Sequence, residues 1–68
     1  MRLKELKDSA KEWGIIIYSV KKVKSKIKTF AVNYAFMLPD NAVSIDSTKE
    51  IIADNHEEIL DYFRRQVF

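Results

Sequence analysis

Between the only glycine, Gly14, and the only proline, Pro39, residues 15–38 run without a breaker, and the conformation of that run decides the fold. Ile15, Ile16, Ile17, Val20, Val23, Ile27, Thr29 and Val32 are β-branched, and Tyr18 and Phe30 add aromatic bulk. Such side chains lose rotamer freedom in a helix and pack well on a pleated surface. The run therefore predicts two strands, roughly 15–21 and 27–38, with a connection between them that no Asn-Gly or Asp-Gly pair marks. Extended backbone between Lys21 and Lys28 alternates lysine with Val23, Ser25 and Ile27, which would set four ammonium groups on one side. A rival pattern exists, because Ile16, Val20, Val23, Ile27, Phe30, Tyr34 and Met37 also step by four and three, the seam of a long heptad helix. The density of β-branched residues and the lack of a capping signal between Gly14 and Pro39 favour the strands.

The flanks are more regular. Leu3, Leu6, Ala10 and Trp13 repeat at helical spacing, so residues 2–13 form an amphipathic helix that Gly14 ends in a left-handed cap. Leu38-Pro39-Asp40-Asn41 is a turn, and a short third strand from Ala42 to Ile45 is expected after it. Ser47-Thr48-Lys49-Glu50 reads as a capping box opening the last helix. Ile52, Ile59, Leu60, Phe63 and Val67 line one side of that helix. Asp54-Asn55-His56 kinks it or restarts it with Asp54 as a second N-cap, and Arg64 and Arg65 suit its C-terminal end. Phe68 either anchors that end or frays. The order helix, strand, strand, strand, helix gives an α+β, two-layer sandwich with an antiparallel three-stranded sheet and both helices on one side.

A single domain spanning 1–68 buries only a thin core, and chains this small usually gain stability from a disulfide, a metal or a partner. There is no cysteine, and one histidine does not make a structural zinc site. Oligomerisation or unusually good packing remains. Lack of cysteine fits a reducing compartment, and no apolar stretch resembles a signal sequence or a membrane span, so the expected location is cytoplasmic. From Phe30 to Leu38 the only polar side chain is Asn33. Whichever side meets the helices, the other stays partly apolar, so an uncovered Tyr34 or Phe36 patch points to a homodimer or a protein partner.

Charge is divided along the chain. Residues 1–30 hold nine basic groups against three acidic, a net +6, while residues 31–68 hold three against seven, a net −4. A dipolar surface of that kind steers polyanions, acidic proteins or a second copy. Lys21, Lys22, Lys24, Lys26 and Lys28 are the candidate phosphate contacts, and the acidic helix with Glu57 and Glu58 is a candidate protein interface.

Chemistry-bearing constellations are missing. His56 has acidic neighbours and no cysteine to activate, so it reads as a surface residue rather than a base. Asp54, Glu57, Glu58 and Asp61 at helical spacing read as a solvated acidic face, without the loop and glycine of a calcium site. One glycine excludes a phosphate loop. Trp13 could stack on bases, but its place in the apolar stripe assigns it to packing. No enzyme activity, cofactor or metal is expected.

Leu3 to Trp13, Tyr18-Ser19-Val20, Lys28-Thr29-Phe30-Ala31-Val32 and Ser47-Thr48-Lys49-Glu50-Ile51 resemble, in order and interval, the first helix, first strand, start of the second strand and start of the second helix of the double-stranded RNA-binding domain family. The resemblance covers nearly the whole chain. It implies RNA held by the first helix, the loop between the first two strands and a lysine cluster opening the last helix. Lys49 matches one position of that cluster. Ile52 and Asp54 stand where basic residues would be expected, and the loop lacks the Gly-Pro-x-His signature.

Two functions follow as expectations. The first is a small non-enzymatic regulatory protein acting through protein contacts, of a size that suits an accessory or inhibitor protein of a phage or mobile element. The second is a nucleic-acid-binding module using Lys21, Lys22, Lys24, Lys26, Lys28 and Lys49.

Overall fold

A computed structural model describes residues 1–67; Phe68 lies outside the described residues. Its elements are α1 (Leu3–Glu12), β1 (Ile15–Lys22), β2 (Thr29–Phe36), β3 (Ser47–Ile52) and α2 (His56–Val67). The order is the expected one and the long helix is not formed. The strands make an antiparallel meander, β1-β2-β3, with β2 in the centre.

Helix α1 turns Leu6 and Ala10 into the core and packs Leu3 against it. Its last turn closes when the Trp13 and Gly14 amides donate to the Ala10 and Lys11 carbonyls. Gly14 then takes φ +78°, which a Cβ would strain, and so reverses the chain into β1. The Met37 amide donates to the Gly14 carbonyl at 2.8 Å, tying the helix end to the far end of β2.

One face of the sheet meets the helices. Ile15 and Ile17 of β1, Val32 of β2 and Ile51 of β3 join Leu6, Ala10, Ala53, Ile59 and Phe63 in a single buried cluster. Val20, Phe30 and Tyr34 border it, and the Tyr34 and Phe63 rings meet edge to face with centroids 5.0 Å apart. Burying Phe63, Leu6, Ile15, Ile59 and Val32 is worth roughly 1.5–3 kcal/mol each, the largest favourable terms in so small a domain.

Two irregularities shape the ladder. In β1, Tyr18 is the extra residue of a bulge between the Ile17–Tyr34 and Ser19–Asn33 pairs. Between β2 and β3 the pairing also slips by one. Met37 bridges Val43 and the Ser44 amide donates to Phe36, yet Tyr34 already pairs with Ser47, so Ala35 opposes both Ile45 and Asp46.

That slip corrects the sequence reading of residues 42–53. The expected strand Ala42 to Ile45 is only the return arm of a hairpin around Pro39, and the full third strand is Ser47–Ile52. Ser47 to Glu50 therefore does not cap a helix. An edge of β2 from Thr29 to Tyr34 needed a partner, and pairing with it satisfies more backbone groups than one capping box does. The helix starts later, where the Asn55 side chain accepts the Glu58 amide at 3.0 Å and the Glu58 carboxylate accepts the Asp54 amide at 2.7 Å. Asn55, not Asp54, is thus the N-cap. As a result Ile52 belongs to an edge strand rather than the helix stripe and is 82% exposed, and Val67 is also exposed.

Candidate interaction surfaces

Alternation along β2 sorts its side chains. Phe30, Val32, Tyr34 and Phe36 face the helices, whereas Thr29, Ala31, Asn33, Ala35 and Met37 face away. Register extends the outer set to Ile16, Ser19 and Lys21 on β1 and to Thr48, Glu50 and Ile52 on β3, with Val43 opposite Met37. Tyr34, expected on an uncovered patch, is instead half-buried on the packed side, where it touches Phe63 and Phe36. Phe36 lies on the same side but beyond the helices and is exposed.

Neither helix covers the outer face, although Thr29 and Ala35 within it are buried. It carries exposed Tyr18, Met37, Val43 and Ile52, with Ile45 standing 93% exposed at the slip beside it. Asn33 sits at its centre, where Nδ2 donates to Asp46 Oδ2 at 3.0 Å and Thr48 Oγ1 at 3.1 Å. Sequence reasoning did not name Val43, Ile45 and Ile52 as contact residues, because the first two fell in the expected short strand and Ile52 on the apolar side of the expected helix. Both sheet edges are guarded, β1 by its bulge and Lys21 and Lys22, β3 by Lys49 and Glu50.

The second surface is the β1–β2 hairpin end. The expected lysine row is broken there: the Val23 amide still pairs with Thr29, the Lys26 amide turns back to Val23, and Lys28 takes φ +52°. A turn, rather than a pleat, brings Lys22, Lys24, Lys26 and Lys28 around one open cleft of about 540 Å³, with Phe30, Ala53 and Asp54 also lining it. Two of the four are held by acids, Lys26 by Glu50 at 2.6 Å and Lys28 by Asp54 at 3.3 Å. Among the described residues no ion pair engages Lys21, Lys22 or Lys24. The division of charge along the chain is thus partly undone in space, since acids of the second half lie against the basic loop.

The other candidates are scattered. Lys49, on the helix side of β3, holds its ammonium 5.2 Å from the Tyr62 ring centroid, and hydrogen bonding to Tyr62 raises its pKa above the usual lysine value. Glu58 is used as the cap of α2, and Glu57 lies 3.8 Å from the Met1 amine. His56, expected at the surface, is half-buried, edge-on to Phe30, with Nδ1 buried and unpaired. Trp13 is half-buried at the C-cap of α1. Among the described residues no helix is long and apolar enough to cross a membrane, and no three of His, Cys, Asp and Glu gather to hold a metal ion.

The pieces that carried the family resemblance fall on α1, β1, β2 and β3. The fourth piece, Ser47 to Ile51, was expected on the last helix and stands on a strand, and the first turn of α2 holds Glu57 and Glu58 instead of a lysine cluster. No family model, curated protein or solved structure matches the chain.

Proposed function

We propose that this chain is a small non-enzymatic binding module that acts through protein contact on the outer face of its sheet. The observation that carries this reading is the one-sided packing: two helices cover one face, and the other presents Tyr18, Met37, Val43 and Ile52 to water. Large apolar side chains exposed at both ends of an uncovered sheet face are costly in a lone monomer and mark a contact site. The guarded edges direct association to the face rather than to open-ended strand addition. Self-association is the simplest form of this function, and light scattering over a rising concentration series tests it. A mass above that of one chain, lost in Val43→Glu, is the expected result. A single-chain mass at every concentration for the parent protein would overturn the reading.

A second reading rests on the lysine cleft. Lys22 and Lys24, without an ion pair among the described residues, would contact phosphates of a nucleic acid, releasing counterions and giving a steep loss of affinity with salt. Double-stranded RNA and DNA should then be retained at low salt and released at moderate salt, and Lys22→Glu with Lys24→Glu should abolish retention. No retention at low salt removes this reading.

A further inference from the structure

The outer face has an internal symmetry that selects its partner. Along β2 the outward residues read Thr29, Ala31, Asn33, Ala35, Met37, so Asn33 lies midway with an alanine two residues away on each side. The flanking strands repeat the pattern. Ile52 pairs with Thr29, four residues before Asn33, and Val43 pairs with Met37, four residues after it. Both are exposed and both lie on the same side of β2.

We infer that two copies of this chain pair face to face about a two-fold axis through Asn33, with the strands of the two sheets antiparallel. The inference rests on the protein-contact reading above and adds the partner and its orientation. In this arrangement Ile52 of each copy lies over Val43 of the other, on either side of the axis at Asn33, with the sheets stacked at about 10 Å. The pairing is isologous and closes at two copies.

Charge separates this orientation from its alternative. Among the described residues the hairpin end carries Lys21, Lys22 and Lys24 without acidic partners, and the opposite end carries Asp40, whose carboxylate accepts the Ala42 amide in the turn after β2. Antiparallel stacking sets each lysine-bearing hairpin over the Asp40 turn of the other copy. Parallel stacking would instead bring two hairpin ends together, with their unpaired lysines in mutual repulsion.

Absence of cysteine makes the test clean, since any disulfide must come from introduced residues. Two variants, Ile52→Cys and Val43→Cys, are made separately, checked for parental circular dichroism, and oxidised alone and mixed. The expected result is a disulfide-linked dimer in the mixture, with little in either variant alone. If the parent protein dimerises but the mixture gives no more cross-link than the separate variants, the antiparallel arrangement is wrong while the contact reading survives. If the parent protein is a monomer throughout, the contact reading itself fails.

Discussion

Asn33 and Asp46 are joined side chain to side chain, 3.0 Å between Nδ2 and Oδ2, across the point where the β2–β3 ladder slips by one residue. The same amide reaches Thr48 Oγ1, so the one amide side chain of β2 fixes where the return arm ends and β3 begins. A net hydrogen bond of this kind contributes roughly 0.5–1.5 kcal/mol. Asn33→Ala and Asp46→Ala should each lower stability by about that much, and the double variant should lose less than the two added together. Urea denaturation of the four proteins measures the coupling; strictly additive losses would mean the contact does not hold the slip.

Gly14 offers a purely conformational prediction. Its φ of +78° is unfavourable for an L side chain, and a Cβ placed there meets nothing within 4 Å. Gly14→Ala should therefore cost about 1–2 kcal/mol through backbone strain alone. The denaturation midpoint should fall while the circular dichroism spectrum of the native state stays unchanged.

The two capping signals are separable. Asn55→Ala removes the acceptor for the Glu58 amide and should destabilise by about 1 kcal/mol. Ser47→Ala, at an exposed strand position, should change stability by no more than about 0.5 kcal/mol. Equal losses from both would place a helix start at Ser47 and contradict the strand there.

Lys49 predicts an alkaline effect of definite sign. Its folded pKa is raised, by hydrogen bonding to Tyr62 first, so its contribution is complete below the ordinary lysine value of 10.5 and is lost as pH climbs through the higher folded value. Tyr62→Phe removes the hydroxyl and should return the Lys49 titration toward 10.5, followed by NMR of the lysine side-chain signals. An unshifted titration in that variant would exclude Tyr62 as the cause.

Much of the fold is legible in the sequence because it depends on neighbours in the chain. The periodicity from Leu3 to Trp13 makes α1, Gly14 ends it, and the β-branched run that follows makes β1 and β2, since these residue types carry their preference locally. Residues 42–53 were less readable. Ser47 to Glu50 has a genuine capping pattern, but the vacant edge of β2, distant in sequence, offered a full ladder of hydrogen bonds and took the segment for β3. Asn55 and Glu58, an equally good signal, then started the helix.

The lysines and acids show the same division. Their numbers and their separation along the chain were fixed by the sequence, yet only the meander brought Glu50 to Lys26 and Asp54 to Lys28, because pairing depends on proximity in space. Which side of β2 is bare was likewise decided in three dimensions. Alternation splits its residues into two sets, but the helices chose the set with Val32 and Tyr34, whose larger side chains fill the core, and left Ala31, Asn33 and the buried Ala35 on the other side.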